Sequence, residues 1–498
     1  MQAISSALTV LKWLFVRLPL GFSVPFTAAS LAWVLYGFRH LNAMIALPAA
    51  QAMAAYLHST LPAPVSDALV DNLGDFFHAA IVIVLFAVGF VVSYNVSALL
   101  NWLLFKANLK PPAFASGPPV VLPQGPASDM FANVERIGIV LAGGGAKGAF
   151  QAGAMKAIYS FLRAHGALDK VAVISGTSIG SWNALFWLAD LIESPQGGQG
   201  IHERWWRSIS IRALAAPSWY LPFMRSAFLS AAPWRRAFDQ VFDRADVRAR
   251  LIGAKIHFYF TCSEVRRGRL RCTTNSPDPP RIHRVEYEHL AGRDEASFVD
   301  GLKEGVFASM DLPPLFPYVR RGSVECEDGG VIDNLPVLFP ASDGCDLIFV
   351  LPLNADFDAT PNESSVLARL LRVMDVRQGA LERHGFKLIY LYNELAALRQ
   401  HFQSQPQPPA SGSAPLSQAL GRRNRVVSVF AICPAREFVT ETLNTQELWK
   451  HAEAGIAFDV MARATGNELK RFDFSRRQDL IRVKIVKRGG DVLVDEHF

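Results

Sequence analysis

The pentapeptide Gly176-Thr177-Ser178-Ile179-Gly180 is the first place in this 498-residue chain where residue type and spacing point to chemistry. It follows an apolar run, Val171 to Ser175, and precedes a helix-like segment from Ser181 to Leu191. A serine on a sharp turn between strand and helix presents its hydroxyl at the carboxyl edge of a sheet, and small flanking residues permit the tight backbone. The following helix favours negative charge at its N-terminus. Such a serine reads as a nucleophile.

Upstream, the run Ile137 to Ala142 reads as a buried strand and leads into Gly143-Gly144-Gly145-Ala146-Lys147-Gly148, followed by a helical pattern from Ala149 to Leu162. This turn admits two readings. Gly143, Gly145 and Gly148 have the spacing of a dinucleotide-binding fingerprint, with Asp169 far enough downstream for a ribose contact. Alternatively, the backbone forms a nest of N–H groups that stabilises an oxyanion during acyl transfer. A Walker-type phosphate loop is excluded, because Gly148 rather than Ser or Thr follows Lys147. The serine turn on the next strand favours the oxyanion reading, since an acyl hydrolase needs both parts.

A nucleophilic serine needs a base. His384, His401 and His451 lie downstream, where a Ser…Asp…His order would place one, but none sits in a context like a triad loop. The other candidate is Asp328, in Glu327-Asp328-Gly329-Gly330-Val331-Ile332-Asp333-Asn334-Leu335-Pro336, where a glycine-rich turn could present a carboxylate into a cleft. A plain Asp-Gly turn fits the same spacing.

Together these pieces resemble the patatin-like phospholipase family, in a bacterial, membrane-anchored form. That family carries a glycine-rich loop of G-G-G-x-[RK]-G form, a G-x-S-x-G elbow and a D-G-[GA] turn. Here they are Gly143 to Gly148, Gly176 to Gly180, and Asp328-Gly329-Gly330, in the family's order. A fourth block, A-S-x-x-x-P-x-x-F-P, matches Ala308 to Pro317, and Asn334 and Pro336 also fit. The resemblance covers Arg136 to Cys345, with softer likeness to Ala464; Lys147 stands where many relatives have arginine. It implies an α/β fold with a three-layer α/β/α core, and a lipid acyl hydrolase that needs no metal or other cofactor. Ser178 would be the nucleophile and Asp328 the proton acceptor. The backbone from Gly143 to Gly148 would form the oxyanion hole, Gly176, Thr177, Ile179 and Gly180 the elbow, and Gly329 and Gly330 the dyad turn. Membrane lipids would be the substrate. A Ser–His–Asp esterase and a dinucleotide-binding protein using the Gly143–Gly148 loop are the alternatives.

The elements around these motifs divide the chain into five parts. In the first 110 residues the charged side chains are Lys12, Arg17, Arg39, Asp67, Asp71, Asp75, Lys106 and Lys110. That leaves Leu18–Phe38 and Phe76–Phe105 uncharged, each long enough to span ~30 Å of hydrocarbon. Membrane spans are therefore expected at about residues 18–38 and 78–103, in a multi-pass arrangement in an inner or plasma membrane. Lys12 and Arg17 interrupt the early apolar run, which argues against a signal peptide. Basic residues on both outer flanks put both chain ends and the catalytic part on the cytoplasmic side. Residues 111–132 read as a Pro/Gly/Ser-rich tether, 136–345 as the catalytic core, 346–470 as its continuation and 471–498 as a terminal β-hairpin.

Between His202 and Phe242, Trp205, Trp206, Trp219 and Trp234 are interleaved with arginines. This composition fits a lid at a lipid interface or ordinary helices packed on the sheet. Ile256–Cys262 and Leu270–Thr274 read as a hairpin in which Cys262 and Cys272 face each other. Five cysteines without a C-x-x-C pair suit reduced thiols. A strand is expected over Asp346–Leu351, a helix over Ser364–Leu398, a loop over Gln403–Ser413, a strand over Val426–Cys433 and a helix over Gln446–Ala464. Basic patches at Arg422, Arg423, Arg425 and in the tail read as solvated faces or contacts to anionic lipid; nothing in the sequence reads nucleic acid.

Overall fold

The computed structural model describes chiefly residues 47–63, 131–194, 199–209, 229–313, 315–354, 366–404, 426–434, 482–486 and 492–497, with shorter pieces elsewhere. The chain forms two compact units, one of residues 1–109 with 216–225, the other of 110–215 with 226–498. In the first, helix α1 spans Leu47–Thr60. The expected membrane spans fall largely outside the described residues, as do the tether and the helix over 446–464. Among the described residues no helix is long and apolar enough to cross a membrane.

The second unit is built on one mixed sheet of eleven strands. In chain order these are β1 (Ile137–Leu141), β2 (Val171–Thr177), β3 (His257–Glu264), β4 (Arg269–Thr274), β5 (Val285–His289), β6 (Val319–Arg321), β7 (Val324–Asp328), β8 (Leu347–Leu351), β9 (Ser428–Pro434), β10 (Arg482–Val486) and β11 (Val492–His497). Their spatial order is β11-β10-β9-β8-β1-β2-β3-β4-β5, with β7 pairing both β3 and β6. Strands β8, β1, β2 and β3 run parallel to one another. All five residues of β1 and of β8 are buried, which explains why both read as unbroken apolar runs: a central parallel strand is covered on both faces. The expected terminal hairpin is present, with β10 and β11 antiparallel at the sheet edge.

The helices of this unit are α2 (Gly148–Ala164), α3 (Ile179–Leu188), α4 (Ile201–Ser208), α5 (Ala232–Phe242), α6 (Ala245–Gly253), α7 (Glu295–Met310), α8 (Leu338–Ser342) and α9 (Val366–Ser404). Helix α3 is buried at every residue. Its Trp182 is ringed by Trp205 (5.2 Å between ring centroids), Trp234 (4.9 Å) and Phe242 (5.4 Å). Thus three of the tryptophans in the Trp/Arg-rich stretch are core residues that wedge α3 in place, and the packed-helix reading holds for them; Trp219 lies outside the described residues. Their arginine neighbours pair with carboxylates, Arg207 with Glu203 at 3.0 Å and Arg235 with Glu304.

The hairpin of β3 and β4 forms with a different register from the one expected. Thr261 stands opposite Cys272 and Cys262 opposite Arg271, so the two cysteines lie on opposite faces of the sheet. Period-two alternation makes a one-residue offset a change of face. Cys262, Cys272, Cys326 and Cys345 are free and buried.

Candidate active site

The parallel order of β1 and β2 brings the two glycine turns together, because both follow the carboxyl ends of adjacent strands. Ser178 sits between β2 and α3 with φ 54° and ψ −125°. A non-glycine residue held at positive φ costs about 1–3 kcal/mol, which the buried α3 and its aromatic collar sustain. The Ser178 amide donates to Ser309 Oγ at 2.8 Å, and the Ser309 and Ser181 hydroxyls meet at 2.7 Å. Ser309 belongs to the last turn of α7, so the Ala308–Pro317 block supports the elbow from beneath. The sequence pattern marked Ser309 without revealing this contact.

The elbow tolerates nothing larger than glycine at its second small residue. A Cβ on Gly180 would lie 2.3 Å from the carbonyl oxygen of Leu141, which is fixed in β1. Gly180→Ala should therefore destabilise the fold by about 3 kcal/mol or more, read from the denaturation midpoint; a change under about 1 kcal/mol would show that β1 and α3 can separate. Thr177 ties the elbow to the dyad turn, with its hydroxyl 2.6 Å from that of Thr261 and 3.1 Å from the carbonyl oxygen of Asp333. Ile179 is buried beneath Gly148, whose Cβ position would meet it at 2.5 Å.

Asp328 ends β7 and is almost fully buried. Gly330 N donates to its Oδ1 at 2.7 Å, and the Ser178 side chain lies close enough to the carboxylate to lower its pKa. Its own backbone is anchored by its N–H to Asp311 O (3.1 Å) and by Ser263 Oγ to its carbonyl (2.9 Å). Burial pushes the carboxyl up to about 6, while Ser178 and the bond from Gly330 pull the other way. Nearby Asp311 and Asp333 are also raised by burial, to about 8 and about 6. Gly329 packs against the carbonyl of Thr261 and Gly330 faces the Asn334 side chain, so the turn lies flat on β3.

The glycine loop lies across from this pair. A Cβ on Gly143 would sit 3.0 Å from Ser178 Cβ, which shows how closely the loop approaches the serine. Its amides are not equivalent. Gly143 N–H donates to Asn334 O (3.3 Å) and Lys147 N–H to Gly144 O (3.1 Å), and the Gly148 amide closes on the turn through Gly145 O. Gly144, Gly145 and Ala146 open the helical turn, where the first N–H groups of a helix have no partner within it. The Lys147 side chain is buried, with Nζ 2.8 Å from Asn354 Oδ1. A buried amide network holds the loop's far end: Asn183 donates to Gly148 O and Gln151 Oε1, both at 3.0 Å, and accepts from Trp206 Nε1 at 2.9 Å. Gln151 in turn donates to Ala142 O and Leu351 O.

The alternatives find no comparable geometry. Asp169 is exposed and precedes β2, at the opposite edge of the sheet from the glycine loop, so it cannot serve a ribose bound there. His384 and His401 lie exposed on α9, and His451 falls outside the described residues. His202, the histidine that packs against α3, stacks on Phe186 and bonds Asn183, with its pKa pushed down to about 3 by burial.

A serine on a strained elbow, a buried carboxylate close to it and a glycine loop against it are the parts that acyl transfer would need. Residues 139–340 match the family model described as patatin-like phospholipase, so this stretch of the chain is a patatin-like phospholipase domain, a class of lipid hydrolase. Among solved structures, that of VipD from Legionella pneumophila matches at 13% identity, covering 70% of this chain and 71% of that one, with a TM-score of 0.28. No curated protein matches the chain.

Proposed function

We propose that the protein is a serine-dependent acyl hydrolase of membrane lipids, of phospholipase or lysophospholipase type, in which Ser178 and Asp328 work as a dyad. The observation that carries this reading is the placing of the Ser178 side chain beside the buried Asp328 carboxylate, with the glycine loop brought against the serine at Gly143. Asp328 takes the serine proton as Oγ attacks the ester carbonyl carbon. The oxyanion is received by the amides of Gly144, Gly145 and Ala146, backed by the N-terminus of α2. Collapse expels the alcohol, which leaves with that proton. Water then adds to the acyl-enzyme with Asp328 again as base, and the fatty acid departs. The uncharged runs at about 18–38 and 78–103 support a multi-pass membrane anchor that holds the site beside its substrate on the cytoplasmic face.

The test is fatty acid release from mixed phospholipid and lysophospholipid vesicles, together with fluorophosphonate labelling. The base must be ionised, and its carboxyl lies at about 6. So kcat/KM should fall as pH drops through about 6 and level off above it. Activity should sediment with washed membranes, and the fluorophosphonate adduct should map to Ser178. An adduct elsewhere, or equal rates at pH 4 and pH 8, would remove the dyad; activity in the soluble fraction alone would remove the anchor.

A further inference from the structure

The glycine loop is gripped from a part of the chain that lies beyond its motifs. Helix α9 delivers Glu382, which is buried, to the edge of the loop. Glu382 Oε1 accepts from Asn334 Nδ2 (2.9 Å), from Asn354 Nδ2 (2.9 Å) and from Leu353 N–H (3.4 Å), and Oε2 accepts from Asn354 N–H (3.3 Å). Every one of these neighbours is a donor, which favours a carboxylate accepting at both oxygens; burial pushes the group up to about 8, and the nearby Lys147 and the bonds from Leu353 and Asn354 pull it back.

The two amides pass the grip on to the two ends of the loop. Asn334 Nδ2 also donates to Gly143 O at 3.1 Å, and Asn354 Oδ1 receives Lys147 Nζ at 2.8 Å. Both partners of Asn334 Nδ2 are oxygens, so its amide cannot be turned over without setting its own oxygen against two acceptors. This orientation is kept although Asn334 Oδ1 is buried without a hydrogen-bond partner among the described residues. An orphaned buried acceptor is costly, so the bonds to Glu382 and Gly143 outweigh it.

We propose that Glu382 is a positioning residue of the oxyanion loop: through Asn334 and Asn354 its carboxylate clamps Gly143 and Lys147, and so keeps the amides of Gly144, Gly145 and Ala146 converged on Ser178. The catalytic sense of this clamp rests on the acyl-hydrolase reading; its mechanical sense does not. The ammonium of Lys147 also balances the buried carboxylate at one remove, which gives this basic residue a task inside the protein.

The test uses the full chain with Glu382→Gln, which keeps size and shape but sets an NH2 group against donors. Two readouts are taken: hydrogen exchange of the peptide containing Gly143–Gly148, and steady-state kinetics per Ser178 site titrated with fluorophosphonate. The loop amides should exchange ~10-fold faster while β1 keeps its protection. The kcat should fall about 10-fold or more with KM within about two-fold, as expected when oxyanion donors are misplaced. Asn354→Ala, which cuts the Lys147 arm alone, should show a smaller change of the same kind. Unchanged loop exchange in folded Glu382→Gln would overturn the clamp, as would unchanged kcat per titrated site. Faster loop exchange with Ser178 unreactive in the wild type would uphold the clamp and instead overturn the hydrolase reading.

Discussion

Ser178→Ala should lower ester hydrolysis by roughly four orders of magnitude or more, because loss of the nucleophile leaves the oxyanion donors and the bound substrate with nothing to form the acyl-enzyme. The fold should survive. Removing Oγ leaves the backbone as it was: the Ser178 amide still reaches Ser309 and α3 stays wedged among its aromatic neighbours. The melting temperature should therefore move by no more than a few degrees. Ser178→Gly separates two effects that alanine combines. It is equally inactive, yet it relieves the positive φ at this position and should be more stable than the alanine variant by about 1 kcal/mol. Residual hydrolysis above about 1% of wild type in either variant would mean that another group is acylated. Equal stability of the two would mean that the elbow is not strained.

The second large effect concerns where the domain ends. The family match stops at residue 340, yet β8, at Leu347–Leu351, pairs along all five residues of β1 and is completely buried. A fragment of residues 131–340 would expose one edge of β1 along its whole length. It would also strip Gln151 and Ala142 of the Leu351 carbonyl, and the amides of Glu135 and Arg136 of the Asp346 carboxylate. Burial of five large apolar side chains is worth on the order of 10 kcal/mol, as much as the whole net stability of a typical domain. The fragment should lack cooperative unfolding and aggregate through its open strand. A sharp calorimetric transition from it would show that β8 is dispensable.

How far the sequence led depended on the range of each interaction. The turn at Ser178, the glycine loop and the Asp-Gly-Gly turn are local backbone chemistry, where glycine spacing nearly dictates the conformation: the first two link a strand to a helix and the third follows the end of β7. The buried strands β1, β2 and β8 were equally plain, since a strand covered on both faces has no polar alternation to blur it. Contacts that join distant residues left no such trace. Glu382 is an unremarked acid on a helix of mixed periodicity, and only the fold shows it 2.9 Å from Asn334. Asn183 and Ser309 likewise gain their meaning from neighbours far away in the chain. Register was beyond reach too, which is why Cys262 and Cys272 were expected on one face and lie on two. The tryptophans near α3 illustrate a different gap: composition cannot tell a lipid-facing aromatic from a core one, and the ring packing around Trp182 decides it.

The complete burial of α3 has a bearing on how such a protein can change over generations. Its ten residues, Ile179 to Leu188, have no solvent-facing member on which neutral substitutions could accumulate. A comprehensive mutational scan would thus find here an uninterrupted band of intolerance, where an ordinary surface helix shows a stripe. Selection has no foothold on the element that carries the Ser178 turn. It must work through the residues that surround it.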